Sequence, residues 1–118
     1  MSLTVNAYKK TPGGRWETLP CEHASELAGF ESCRRELWGH VSIRDLGATL
    51  LPSLIDSDVD AEGDALDQLQ REAEEIIAHA AAIATATGYE HDYIVQRCEN
   101  ILGAVRRAKE IGGGVVIW

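Results

Sequence analysis

The twelve residues DSDVDAEGDALD, which begin at Asp56, contain the residue types of a calcium-binding loop. Asp56, Asp58 and Asp60 match the first three ligand positions of an EF-hand, where carboxylate oxygens bind the ion. The match then fails, because the position that needs glycine for a sharp turn is Ala61, and the bidentate glutamate is replaced by the shorter Asp67. The pattern therefore predicts a solvated acidic loop and no calcium site.

The cysteines and histidines offer two further kinds of chemistry. Cys21, His23 and Cys33 could be zinc ligands, but structural zinc sites need four ligands in paired spacings, which the chain lacks. Cys21 with His23 or His40 could form a thiol nucleophile and its base, but no activating motif accompanies them. Cys33 and Cys98 fall on apolar helix faces, where cysteine usually acts as a small hydrophobe. We therefore expect no catalytic residue, no metal and no cofactor, and a protein that is not an enzyme.

The acidic residues concentrate in one stretch, Asp56–Glu75, which we call the acidic segment. It holds nine acids and a single base, Arg71, and so accounts for the whole net charge of −8. Such a field repels nucleic acid and membrane surfaces and attracts basic proteins. We expect seven of these acids to bind a protein partner: Asp56, Asp58, Asp60, Glu62, Asp64, Asp67 and Glu75.

Length and composition limit the class of protein. The 118 residues are enough for a single domain, 1–118, and a hydrophobic fraction of 45% is too high for disorder. No apolar run approaches the ~20 residues that span a bilayer. The N-terminal MSLTVNAYKK lacks the basic and apolar regions of a secretion signal, and an odd cysteine count fits a reducing compartment. We therefore expect a cytoplasmic protein.

Three short segments have the features of strands. Residues 3–8 alternate apolar and polar side chains, the TPGG of 11–14 is a turn, and 15–19 returns as the second strand of a hairpin. At the other end of the sequence, GGG breaks a helix and the apolar 115–118, VVIW, has the β-branched bias of a strand. The simplest arrangement pairs this tail with residues 3–8.

Helical periodicity is found in four segments. Two shorter helices are predicted over 25–38 and over 45–51. The strongest periodicity predicts long helices over 65–87 and 92–110, and their short connection requires antiparallel packing. We therefore expect an α+β fold, mainly α: an antiparallel pair of long helices plus one or two shorter helices, with a small sheet formed by an N-terminal hairpin and the C-terminal strand.

Three stretches suggest a family: RRELWG at 34–39, LGATLLPSL at 46–54 and RCENILGAVRRAKEIGGGVVIW at 97–118, together about a third of the chain. They resemble the small immunity proteins of bacterial polymorphic toxin and contact-dependent growth inhibition systems. The resemblance implies a single-domain protein that binds one cognate toxin domain, often a nuclease, and neutralises it. It implies no catalytic residue.

The expected function is therefore that of an immunity protein that inhibits a cognate toxin domain, possibly a basic nuclease, through an acidic surface. The alternative is a homo-oligomeric structural or regulatory module, whose mark would be an exposed apolar patch at Trp38 or Trp118. An enzyme or metal protein would require a cleft that holds Cys21, His23 and His40 together.

Overall fold

An antiparallel sheet of five strands brings the two ends of the chain together in the computed structural model, which describes residues 2–19, 21 and 23–118. The strand order is β2-β1-β5-β4, and β3 pairs with β1 on the edge that it shares with β2. The fold is α+β, as predicted. The strands are β1 (Ser2–Lys10), β2 (Trp16–Thr18), β3 (Leu27–Phe30), β4 (Val59–Glu62) and β5 (Gly114–Ile117).

The C-terminal strand β5 lies between β1 and β4. Val5 and Val59 both pair with Ile117, on opposite sides of β5. The predictions of an N-terminal hairpin and of a tail paired with residues 3–8 are confirmed. The glycines before β5 are required by close approach, because a Cβ at Gly113 would collide with the carbonyl oxygen of Tyr8, and one at Gly114 would lie 2.5 Å from the Tyr8 hydroxyl.

Alternation along the strands turns one face of the sheet toward the helices. The side chains of β1, β4 and β5 on this face are buried: Leu3, Val5, Ala7, Val59, Ala61, Val115 and Ile117. They pack with the apolar faces of the helices, and the opposite face of the sheet carries Trp16, Asp60 and Trp118. The hydrophobic core therefore lies between the sheet and the helices.

The helices are α1 (Val41–Arg44), α2 (Asp64–Ala78), α3 (Ala80–Thr87) and α4 (His91–Ile111). α2 packs on α4, and Lys109 near the end of α4 bonds to Asp67 and Gln70 near the start of α2. The two helices thus meet end to start, as the predicted antiparallel pair requires. Within the described residues, no helix combines the length and the apolar character needed to cross a bilayer.

The single helix predicted over 65–87 is wrong, because α2 ends at Ala78 and α3 begins at Ala80. The apolar stripe itself is correct, since Leu69, Ile76 and Ile83 are fully or almost fully buried. His79 separates the helices, with φ −112° and ψ 17°. Its ring nitrogen Nδ1 lies 2.9 Å from the carbonyl oxygen of Glu75, a local side-chain contact that competes with the regular helical ladder.

The helix predicted over 25–38 is also wrong. The chain forms a 3₁₀ turn, His23–Glu26, then β3, then a π-helical turn, Arg34–Trp38. Gly29 has φ +104°, which interrupts any helix, and a Cβ there would lie 2.7 Å from the Cys33 sulfur. Phe30 is 61% exposed.

The third incorrect helix is the one predicted over 45–51. α1 ends at Arg44, and residues 45–51 form turns that lead into a 3₁₀ turn, Pro52–Ile55. Pro52 begins that turn, where its fixed φ and missing N–H cost nothing.

Candidate partner-binding surface

The middle of the acidic segment is the edge strand β4, which sequence reasoning took for an unstructured loop. Its side chains alternate, so Val59 and Ala61 enter the core while Asp60 and Glu62 are exposed. β4 pairs with β5 alone among the described strands. Because β4 is paired with β5, Asp60 and Glu62 are held in a fixed register on the outer face of the sheet.

All seven acids predicted to bind a partner are exposed: Asp56, Asp58, Asp60, Glu62, Asp64, Asp67 and Glu75. They do not form one cluster. Asp60 and Glu62 lie on the sheet, whereas Asp67 and Glu75 lie on α2, about 12 Å apart along the helix axis at 1.5 Å per residue. The acidic segment therefore presents a sheet side and a helix side.

Arg34 fixes the beginning of the acidic segment. Its Nη2 bonds to Asp58 at 2.7 Å, and its Nη1 donates to the carbonyl oxygens of Leu54 and Ser57 at 3.1 and 2.9 Å. Its Nε bonds to Glu31 at 2.5 Å. The guanidinium is about one-fifth exposed, so these bonds are partly shielded from water. Asp58 is therefore neutralised by a cation of its own chain.

The acids of β4 have partners of different kinds. Lys10 forms an exposed ion pair with Glu62 at 3.0 Å, which neutralises that carboxylate. The hydroxyl of Tyr8 donates a short hydrogen bond to Asp60. Burial first, and then this bond to a carboxylate, raise the pKa of Tyr8 above its ordinary value, so the phenol stays neutral.

On the helix side, Asp67 and Glu75 have basic neighbours. Lys109 donates to Asp67 at 2.6 Å, and this hydrogen bond together with the lysine charge lowers the pKa of Asp67. His79 lies 3.6 Å from the Glu75 carboxylate. Among the described residues, nothing hydrogen-bonds to the side chains of Asp56 and Asp64.

Glu72 is an acid of the same segment with the opposite environment, and sequence reasoning missed its role. It is 7% exposed. Its carboxylate accepts the backbone N–H groups of Thr49, Leu50 and Leu51 at 3.0–3.1 Å and the amide of Gln68 at 3.0 Å. Three successive donors of the turn before Pro52–Ile55 are thereby satisfied. Glu72 is part of the scaffold and not of the surface.

A second surface feature lies on the outer face of the sheet, where three rings form what we call the aromatic face: Tyr8, Trp16 and Trp118. The ring centroids of Tyr8 and Trp16 are 4.9 Å apart and those of Trp16 and Trp118 are 5.5 Å apart. Trp16 is 42% and Trp118 44% exposed. Trp118 is held by a 2.9 Å bond from its Nε1 to Asn6 Oδ1.

Trp38, the other residue expected in an apolar patch, is fully buried. Its Nε1 donates to the carbonyl oxygen of Ala28 at 3.0 Å, so both the ring and its polar atom are satisfied inside the protein. The expectation of exposure is therefore wrong for Trp38. Trp16, which the sequence reasoning did not single out, takes its place beside Trp118.

The cysteines and histidines considered for chemistry contact different residues. Cys21 bonds to Glu26 at 3.5 Å and receives Arg107 Nη2 at 3.7 Å. His40 accepts the N–H of Ser42 at 3.1 Å and so caps α1. The side chain of His23 lies outside the described residues. In the part of the chain that is described, no three His, Cys, Asp or Glu side chains are placed to hold a metal ion.

The two buried cysteines have apolar or phenolic surroundings. The hydroxyl of Tyr89 lies 3.4 Å from the Cys33 sulfur and that of Tyr93 lies 3.8 Å from it. Burial, with a smaller effect of the Glu99 charge, raises the pKa of the Cys98 thiol to about 12. A thiol with this pKa is protonated at neutral pH, which makes Cys98 a poor nucleophile.

No protein-family model, curated protein or solved structure matches this chain. The resemblance to immunity proteins therefore stays a prediction. The two surface features that bear on function are the exposed acids and the aromatic face.

Proposed function

We propose that this chain is an immunity protein, which binds and inhibits a cognate bacterial toxin domain, a basic nuclease, through its acidic surface. The proposal includes a cytoplasmic location and no enzymatic activity of its own. The observation that supports it is the exposure of seven carboxylates on elements that are already ordered: the turn before β4, the edge strand β4 and the helix α2. An ordered surface binds without the entropic cost of folding.

The charges act mainly on the rate of association. Asp58, Glu62 and Asp67 each bond to a cation of the same chain, so their charges are partly cancelled. Asp56, Asp60 and Asp64 have no such cation among the described residues. These three add free negative charge to the surface, and a basic partner is drawn toward them before contacts form.

The first experiment is capture of the tagged protein from its native cells, with the bound proteins identified by mass spectrometry. We expect a basic toxin domain in a one-to-one complex, whose purified activity is lost when this protein is added and returns when it is removed. A captured protein whose activity is unchanged by binding would contradict the proposal.

With the purified toxin domain, a charge variant then tests the acidic surface. The triple variant Asp56→Asn, Asp60→Asn, Asp64→Asn removes three charges that no cation of the described residues pairs with, and it changes the shape little. We expect its association rate to fall about tenfold at low salt, within the range of electrostatic steering, with an unchanged melting temperature. Stopped-flow fluorescence measures the rate.

The matched control removes the same charge from α4 and from the residue that precedes it. It is the triple variant of three exposed glutamates, Glu90→Gln, Glu99→Gln and Glu110→Gln. Equal slowing by both variants would show that only the total charge matters. Slowing by neither would move the interface away from the acidic segment.

A second candidate function is a homo-oligomeric module, and the exposure of Trp16 and Trp118 favours it. In that case the aromatic face is covered by a second copy. Light scattering over a range of concentrations then gives the mass of a dimer, and Trp16→Ala returns it to the mass of a monomer. A constant monomer mass would remove this candidate.

A further inference from the structure

The outer edge of β4 carries backbone groups that face no other strand. β5 lies on one side of β4, and none of the described strands lies on the other side. The hydrogen bonds of β5 show which residues of β4 face this open side. Thr4 and Trp118 exchange both of their backbone bonds, at 2.8 and 3.0 Å, so every second residue of β5 counted back from Trp118 bonds toward β1.

The other two residues of β5, Val115 and Ile117, therefore direct their N–H and C=O groups toward β4. Their partners on β4 are Ala61 and Val59. Bonding direction alternates along a strand, so the residues next to these partners, Asp60 and Glu62, direct their N–H and C=O groups to the open edge. No described group hydrogen-bonds to the backbone of Asp60 or Glu62 there. The edge is thus an unused set of main-chain donors and acceptors.

The side chains beside these backbone groups are carboxylates. Those of Asp60 and Glu62 are exposed on the outer face of the sheet, two residues apart, while Val59 and Ala61 are buried on the face toward the helices. A strand added to this edge places its own side chains opposite the two carboxylates, at about 5 Å between Cβ atoms. Opposite charges stabilise such cross-strand pairs and like charges destabilise them.

The stretch around β4 is negative overall. Residues 56–64 hold five acids and no base. Lys10 forms an ion pair with Glu62, and Arg34 forms one with Asp58, which leaves three of the five acids without an ion pair among the described residues. The open edge therefore combines free main-chain groups with a negative field, and a basic strand complements both.

We propose that the outer edge of β4 is the docking site for an extended segment of a basic protein, which adds a sixth strand to the sheet and sets basic side chains opposite Asp60 and Glu62. The inference rests on the proposed function in taking a basic protein as the partner. It adds how that partner binds, namely as a strand with a basic residue at every second position.

A second copy of this chain does not fit the edge. In an antiparallel pairing of two β4 strands, the residues opposite Asp60 and Glu62 are again acids of β4 or Asp58, since they share the outer face. Such a pair brings together carboxylates of two chains that each have a net charge of −8. Charged side chains on an edge strand prevent pairing of this kind. The same charges leave the edge available to a basic strand.

Hydrogen exchange of the free protein tests the edge itself. Two-dimensional NMR of the ¹⁵N-labelled protein gives the exchange rate of each backbone N–H group. We expect fast exchange at Asp60 and Glu62, whose N–H groups face water, and slow exchange at Val59 and Ala61, whose N–H groups bond to β5. Slow exchange at all four residues would mean that the edge is already covered, and the inference would be wrong.

The probe for binding is a short synthetic peptide that alternates lysine with threonine. One control peptide carries N-methyl groups on its lysine amides, which keeps the charge and removes the donors that pair with β4. Another has glutamate in place of lysine. We expect the lysine peptide to shift the amide signals of Asp60 and Glu62 with increasing concentration. Both control peptides should bind about tenfold more weakly, the first for lack of main-chain bonds and the second for its charge.

A pair of variants separates the main-chain bond from the charge. Asp60→Pro and Asp60→Ala both lose the carboxylate, but only the proline also loses the outward N–H, at an edge position where proline is tolerated. We expect the proline variant to bind the lysine peptide about tenfold more weakly than the alanine variant does. Should Asp60→Pro fail to fold, as circular dichroism would show, the N-methyl peptide tests the same bonds on the wild-type protein.

Four results would overturn the inference. They are an absence of shifts at Asp60 and Glu62, equal binding of the lysine peptide and either control peptide, equal affinity of the two folded variants, and shifts that follow protein concentration without peptide, which would indicate a second copy. The proposed function fails separately. A captured toxin that binds Asp60→Pro and Asp60→Ala equally tightly upholds immunity and rejects this edge. Binding of the lysine peptide at the edge, with no toxin domain captured, upholds the edge and rejects immunity.

Discussion

Glu72 and Asp60 are both acids of the acidic segment, but only Asp60 is available to a partner. Glu72 satisfies three backbone N–H groups inside the protein, whereas Asp60 is exposed and accepts one phenol. The burial of Glu72 could have been predicted from the sequence, because this residue lies on the apolar stripe of α2 between Leu69 and Ile76. At the level of composition the two acids are indistinguishable.

Replacing Glu72 should therefore affect folding and not recognition. We expect Glu72→Ala to lower the free energy of unfolding by about 3 kcal/mol, since it leaves the N–H groups of Thr49, Leu50 and Leu51 without an acceptor. Urea unfolding followed by circular dichroism gives the value. Glu74→Ala, an exposed acid two residues along α2, is the control and should change stability by no more than about 0.5 kcal/mol. Equal losses in both variants would mean that the buried contacts of Glu72 contribute nothing.

The bond between Asp67 and Lys109 predicts a dependence on pH. The pKa of Asp67 is lowered in the folded protein, so the stabilisation is present above the ordinary aspartate pKa of about 3.9 and is lost as the pH falls through the folded value. NMR titration of the carboxyl groups measures the pKa of Asp67 in the wild type and in the Lys109→Met variant. The variant should return the pKa of Asp67 toward its ordinary value. An unmoved pKa in the variant would show that the lysine is not the cause.

At the scale of elements, periodicity predicted α4 and the apolar stripe of α2 and α3, because those segments are long enough for a repeat to be unambiguous. The strands β1 and β5 were predicted from alternation and β-branched composition. The failures fall where remote partners decide the structure. β3 exists because Leu27 pairs with Thr4, and the turns around Thr49 exist because Glu72 binds them. A local pattern contains neither contact.

The candidate surface also depends on contacts between residues that are remote in sequence. The seven acids are exposed, as expected. Their division into a sheet side and a helix side depends on β4, which was not predicted because its acidic residues resemble those of a solvated loop. The aromatic face was not predicted, although the hairpin and the paired tail were, because the contacts of Tyr8, Trp16 and Trp118 depend on the register of the strands, which the sequence pattern does not give.

The central place of β5 makes a truncation informative. Deleting residues 115–118 removes the partner of both β1 and β4, together with the fully buried Val115 and Ile117. Each buried aliphatic side chain is worth about 2–4 kcal/mol, so the loss approaches the whole stability of a domain, about 5–15 kcal/mol. We expect no cooperative thermal transition by circular dichroism. Removing Trp118 alone is the control, which should keep the transition although it loses the contacts with Trp16 and Asn6 and two backbone hydrogen bonds with Thr4. If the deletion of residues 115–118 unfolds with the same thermal transition as the full-length protein, the strand order is wrong.

Taken as a whole, the molecule is asymmetric in charge as well as in shape. The excess negative charge lies on the side of β4 and α2, and its field extends about 8 Å into physiological salt before it is screened. The difference in association rate expected for the Asp56, Asp60 and Asp64 variant should therefore shrink as salt is added.

The insertion of β5 between β1 and β4 also governs how the protein can form during its synthesis. β1, β2 and β3 leave the ribosome early and β4 follows, but β4 has no strand to pair with until residue 117 has emerged. Closing the loop that separates Val5 from Ile117 is entropically costly and slow compared with local helix formation. For most of translation the nascent chain therefore exposes two unfinished sheet edges and the inward face of β1. Such a chain is a substrate for chaperones that bind extended apolar segments, and their release should coincide with the arrival of VVIW.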